Sequence, residues 1–177
     1  MNNQEKNTYV RSQLLAALLK MMLEQPFADI SVSALVNRAQ VGRASFYRNF
    51  TDKEDVLRQE NDRLTAQWKQ SYDAVEHTAP NELLVSLLDF YKERSDFYLA
   101  LYQAGLSGIV LQTLLEHSEI TSEMPNALAY LKSSIAYMLY GWIIEWMKRG
   151  MPESGTELAK MLEAAQKVDA GAAQTVP

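Results

Sequence analysis

Cysteine is missing altogether from these 177 residues. A disulfide framework, a thiolate metal site and a thiol nucleophile are thereby excluded, and the composition suits a reducing cytoplasm. Histidine occurs only at His77 and His117, with no second imidazole three or four residues from either, so zinc-site spacing is absent. No Gly-rich phosphate loop and no Gly-x-Ser-x-Gly elbow occurs, and no carboxylates are placed as an acid–base pair; neither an enzyme nor a cofactor is read. Long apolar runs are lacking too. The longest uncharged stretch near the end, SSIAYMLYGWII at 133–144, lies between Lys132 and Glu145. It is shorter than the roughly 20 residues a bilayer span needs, and reads as a buried helix. The opening MNNQEKNTYVRSQ has no apolar signal-peptide core. A cytoplasmic protein without membrane contact is expected.

What is present is helical periodicity. Hydrophobic residues make up 47% of the chain, enough for a real core, and no run of alternating β-branched residues appears. The fold class expected is all-α. A first helix over about 7–24 carries Val10, Leu14, Leu15, Leu18, Met21 and Met22 on one face and closes before Pro26. Ser31 is placed to cap a short helix 32–39, and a break at Gln40, Val41 and Gly42 opens a second, 43–49, anchored by Phe46 and followed by Phe50. Thr51 or Asp52 then caps a long helix through Leu57, Leu64 and Trp68 to about His77. Two short helices joined by a tight turn and packed on longer ones form a helix-turn-helix plan. Pro80 marks the next joint, followed by helices over about 81–93, 95–104, 107–118, 126–149 and 154–168 and a short unpacked tail, DAGAAQTVP.

Charge is unevenly spread. Residues 31–53 hold Arg38, Arg43, Arg48 and Lys53 against Asp52 alone, a balance of +3 in a chain of net charge -5. Residues 61–177 hold 9 basic and 15 acidic side chains, a balance of -6. A compact positive island on an acidic body faces an anion. With Phe46 turned inward, Arg43, Ala44, Ser45, Tyr47 and Arg48 surround the exposed sides of a short helix, which suits a DNA major groove about 12 Å wide. Arg43 in the first turn is placed for a guanine edge, and Ala44 or Ser45 for a thymine methyl. Tyr47, Asn49 and Lys53 suit phosphate, while Arg48 and Ser33 are further candidates for reading sequence. Charge spacing alone leaves open that this is simply a solvated face.

The stretch FADISVSALVNRAQVGRASFYRNFTDKEDVL, residues 27–57, is more specific. Its opening isoleucine and hydroxyl residue, the Leu35 and Ala39 spacing, the aromatic-Tyr-x-x-Phe run and DKEDVL resemble the DNA-binding region of the TetR family of bacterial transcriptional regulators. The resemblance implies that Ser33, Arg43, Ala44, Ser45, Tyr47, Arg48, Asn49 and Lys53 fall at DNA-contacting positions. It also implies a homodimer on a near-palindromic operator, acting as a repressor. Two positions depart from the family pattern. Gln40 stands where glycine is common, so a left-handed turn there costs on the order of 1 kcal/mol; Gly42 is a weaker helix cap than serine or threonine.

The expected organisation is therefore a helix-turn-helix domain, 1–52, and a helical regulatory and dimerisation domain, 53–177. The helix at 126–149 is apolar nearly all round and must bury two faces. Ile135, Met138, Gly141 and Trp142 on it, with Leu158 and Leu162 on the last helix, are the expected dimer contacts; the alternative is a core helix in a monomer. Tyr98, Tyr102, Tyr137 and Trp142 are the expected lining of a small-molecule effector site, with plain core packing the alternative for each. Effector binding would move the long helix after Asp52 and change the separation of the two recognition helices. The rival is a helical ligand-binding or adaptor protein that acts through protein partners without sequence-specific DNA binding.

Overall fold

The computed structural model describes residues 3–76 and 82–173, and the side chains of 5–76 and 82–165. Among these residues there are nine α-helices and no strand. They are α1 (Asn3–Glu24), α2 (Val32–Arg38), α3 (Arg43–Asn49), α4 (Lys53–Asp73), α5 (Glu82–Glu93), α6 (Ser95–Gln103), α7 (Gly108–His117), α8 (Asn126–Lys148) and α9 (Gly155–Ala173). A 3-10 turn, Phe27–Asp29, links α1 to α2. Two expected ends move. Helix α4 stops at Asp73, short of the expected end near His77, which with Pro80 lies outside the described residues. Helix α9 runs on to Ala173 because alanine sustains helical backbone without large groups to bury; residues 174–177 lie outside the described residues.

The first three helices enclose a small core with the start of α4. Leu14 and Leu18 of α1, Ile30 in the connection before α2, Leu35 and Val36 of α2, Phe46 of α3 and Val56 and Leu57 of α4 are all buried. Full burial of a side chain the size of Phe46 stabilises this unit by about 1.5–3 kcal/mol. Helix α4 then leaves to pack against α5 and α7, while α1 also touches α6, so the N-terminal unit is joined to the bundle along two seams.

In the bundle the closest seam is α5 with α9. Asp89 of α5 accepts a hydrogen bond from the Gly155 backbone N–H at 2.8 Å, and Lys92 reaches the Met151 carbonyl. A Cβ at Gly155 would stand 2.5 Å from the Asp89 backbone nitrogen, so the approach requires glycine. Helix α8 buries Ala136, Ile143, Trp146 and Met147. Its opposite side leaves Leu128, Leu131, Ile135, Tyr137 and Met138 exposed, so the 133–144 stretch is buried on one face only. Among the described residues no single helix is long and apolar enough to cross a membrane.

Candidate nucleic-acid interface and regulatory cavity

Helix α2 begins where the Ser31 hydroxyl accepts the Ala34 N–H at 3.0 Å. It ends in a left-handed residue, Gln40 with φ 53°, where Gln40 N–H bonds to Asn37 O and Val41 N–H to Val36 O. This paired closure is the one glycine usually supplies, and Gly105 supplies it after α6. The cost foreseen at Gln40 is thus present in the turn. Gly42 caps α3 in extended conformation with no side-chain bond, as its composition implied.

Phe46 is fully buried and fixes the rotation of α3. Arg43, Ala44, Tyr47 and Arg48 are consequently exposed, together with Ser33 on α2, and Ser45 is half-buried. Arg43 lies 5.6 Å from the centre of the Tyr47 ring. Arg38 is held by Glu24 of α1 at 2.6 Å, which neutralises it. Arg43 and Arg48 have no carboxylate partner among the described residues, so they carry the free positive charge of the island.

Two expected phosphate contacts sit differently. The Asn49 side chain donates back within α3 to Ser45 O at 2.8 Å, and the Asn49 backbone carbonyl accepts from the Gln59 side chain at 3.1 Å, which ties α3 to α4. The Lys53 ammonium turns inward, donating to Phe27 O, to Ala28 O at 3.0 Å and to Ile30 O at 2.7 Å while lying over the Phe27 ring. Its three donors are used, and the expectation that Lys53 faces an anion is revised to a clamp on the α1–α2 connection. Around it, Asp52 caps the Asp55 N–H at 2.8 Å and Asp55 accepts from Thr51 N–H at 2.9 Å and from Gln59 at 2.9 Å. Sequence reading missed Gln59 and Asp55; the DKEDVL run pointed to a helix start and not to its outward bonds.

Residues 14–59, which hold this whole arrangement, match the sequence model of the bacterial regulatory proteins, tetR family. This segment is a TetR-type DNA-binding region. Over its full length the chain also resembles solved structures. Lin0861 from Listeria innocua superimposes with a TM-score of 0.77 at 16% identity, covering 95% of this chain and 94% of that one. A putative TetR-family transcriptional regulator from Syntrophomonas wolfei gives 0.61 at 18% identity, with 96% of each chain covered. These likenesses show that the TetR-type fold extends through the bundle. No curated protein matches the chain.

In the bundle, a cavity of about 290 Å³ lies between α4, α5, α7 and α8, with Thr65, Trp68, Tyr91, Thr113, Leu114 and Leu139 in its wall. A wider cleft of about 640 Å³ shares Thr65, Thr113 and His117 with it and carries Asp62, Lys69 and Glu116. Asn61 donates to the Thr113 hydroxyl at 2.7 Å, and that hydroxyl donates to Ile109 O at 3.1 Å. Thr65 Oγ1 and Tyr98 Oη are buried with no hydrogen bond, although the two side chains face one another. Burial pushes the Tyr91 and Tyr98 phenols far up, so both stay neutral.

The expected effector lining does not converge on this cavity. Tyr98 is fully buried against Tyr91, with ring centres 4.4 Å apart, and Tyr102 packs half-buried on the core. Tyr137 is 54% exposed, and Trp142 lies in a separate groove with Gly141, Glu145 and Met161. The aromatic count misled because the rings pack on one another. The better signal was polar residues at core positions, Asn61 and Thr65 on the α4 stripe and Thr113 beside Val110.

Of the expected dimer contacts, Ile135, Met138 and Gly141 are exposed along α8 and Trp142 is half-buried beside them. Leu158 and Leu162 are corrected: at 4% and 2% exposure they lie inside the protomer, because the apolar side of α9 is taken by α5.

Proposed function

We propose that the protein is a ligand-responsive transcriptional repressor that binds a near-palindromic operator as a homodimer. The observation that carries this reading is α3: two arginines without carboxylate partners stand on a buried phenylalanine anchor, on a chain that is otherwise acidic. Arg43 reads a base edge, with Ala44 and Ser45 close enough for methyl contacts. Tyr47, Arg48 and Ser33 hold backbone or neighbouring bases, and Asn49 and Lys53 keep α3 and α2 in register. The domain boundary is placed at 52/53, with α4 shared between the two units.

The bare apolar stripe of α8 supports the dimer, because a contiguous exposed patch on a helix marks an interaction surface. Two copies meeting there place two recognition helices on half-sites about 34 Å apart, one turn of DNA. The cavity supports regulation. Thr65 and Trp68 in its wall belong to the same helix whose first residues bond to α3 through Gln59, so a ligand that shifts α4 shifts α3.

Selection of bound fragments from a random DNA pool, with wild type and with the Arg43→Ala, Tyr47→Ala double variant, tests the reading. A near-palindromic motif enriched by wild type alone is expected. No enrichment at low salt would sink sequence-specific binding and favour the adaptor reading.

A further inference from the structure

Folding changes the membership of the positive island. Of its four cations, Arg38 is taken by Glu24 and the Lys53 ammonium by the Phe27, Ala28 and Ile30 carbonyls, so Arg43 and Arg48 are left free. A third cation arrives from another part of the chain. Arg11 of α1 holds its guanidinium carbon 5.2 Å from the centre of the Phe50 ring, at the C-terminal end of α3. Phe50 is buried and its ring centre lies 5.9 Å from that of Phe46, so the platform under Arg11 belongs to the same anchor that sets the rotation of α3. Arg11 precedes the segment that the family model matches, 14–59.

The charge of Arg11 is not compensated. Among the described residues it has no carboxylate partner and no hydrogen bond, and a ring contact occupies none of its five N–H donors. The carboxylates at the α3–α4 corner are turned elsewhere: Asp52 caps the Asp55 N–H, and Asp55 accepts from Thr51 and Gln59. Position agrees with charge. The C-terminal end of α1 is the end that meets the bundle, where Met22 and Leu23 share a cavity wall with Ala100 and Gln103 of α6. Arg11 stands eleven residues before Met22, roughly 16 Å along the helix and away from the bundle. The seven residues of α3 span about 10 Å, close to the groove width of about 12 Å. With Arg43 in the first turn over a base edge, the far end of α3, where Arg11 sits, falls at the phosphates that wall the groove.

We infer that Arg11 is a DNA-backbone contact: its guanidinium, seated on Phe50, donates to a phosphate at the α3–α4 corner, the place that Lys53 was expected to fill. The inference rests on the DNA-binding reading above. It gives affinity and positioning to Arg11 and leaves base choice to Arg43.

The test titrates the selected operator and a random-sequence duplex of equal length with wild type, Arg11→Gln and Arg11→Lys across a salt series, each protein first checked by thermal melting. Glutamine keeps a stem and a planar head and removes the charge. Arg11→Gln is expected to weaken both duplexes alike, by about eightfold per protomer at 0.1 M salt, with a slope of log K against log salt shallower by about 0.9 per protomer. The enriched motif stays unchanged, and Arg11→Lys keeps the wild-type slope. Operators carrying single uncharged methylphosphonates give a reading that a purely structural role would not move: one position in each half-site weakens wild type and leaves Arg11→Gln unaffected. A wild-type slope in Arg11→Gln, or methylphosphonates that weaken wild type and variant alike at every position, would overturn the inference while the DNA-binding reading stands. A loss confined to the operator, with an altered motif, would overturn it too and make Arg11 a reader of bases. Wild type that binds neither duplex removes the reading and the inference together.

Discussion

Replacing Lys53 by methionine separates two roles by their magnitudes. Methionine keeps the length and apolar stem of the side chain and removes the ammonium. In the structure that ammonium satisfies the carbonyls of Phe27, Ala28 and Ile30 and lies 4.4 Å from the centre of the Phe27 ring. Hydrogen bonds to a charged group contribute about 1.5–3 kcal/mol each when desolvated. The site is only half-buried and water can take over some of the carbonyls, so the net loss is set at about 2 kcal/mol. For a chain of this size that lowers the melting temperature by about 4–8 °C. A side chain that contacts one phosphate instead contributes about 0.9 to the slope of log K against log salt and little to folding. Calorimetry of the variant, with DNA binding followed across a salt series, gives both quantities. An unchanged melting temperature with a slope shallower by about 0.9 would refute the clamp and return Lys53 to the phosphate contacts.

Arg43→Ala is expected to weaken binding to the selected operator by about 1–3 kcal/mol and to relax one base position, read by comparing single-base operator variants. Gln40→Gly removes a positive-φ side chain from the turn and should raise stability by at most about 1 kcal/mol in chemical denaturation. Gly155→Ala drives a methyl group into the Asp89 backbone and should cost about 1–3 kcal/mol, measured the same way. Asp62 has a raised carboxyl pKa in the folded chain, set by burial and by Glu116 across the cleft and partly offset by Arg58 on its own helix. Its charged form is therefore disfavoured on folding, so its contribution is favourable below the carboxylate range and is lost as pH rises through the folded value. Asp62→Asn should thus stabilise the protein at pH 7 relative to pH 3, and equal effects at both would refute this.

The DNA-facing half was largely legible because its signals are local. Ser31, the Gln40 turn, Phe46 and Asp52 each act within a few residues, and spacing along the chain exposes them. Lys53 was misplaced because its partners lie more than twenty residues earlier, and a lysine at a helix start looks the same whether it turns outward or in. The bundle was legible as helices but not as a site. Which rings face a void and which face other rings depends on the packing of α5 against α9, and that seam depends on Gly155, a residue whose importance only the approach of Asp89 reveals. Leu158 and Leu162 show the same limit: periodicity identifies an apolar side without naming the neighbour that covers it.

Helix α4 also sets a mechanical scale. From Lys53 to Thr65 it covers twelve residues, about 18 Å of unbroken helix with no proline or glycine to absorb strain. Rotating such a rod by about 5° around its cavity end moves the other end by roughly 1.5 Å, about half the length of a hydrogen bond. Because Gln59 ties that stretch to the last turn of α3, a displacement too small to disturb the core around Thr65 is enough to carry an arginine out of reach of a base edge.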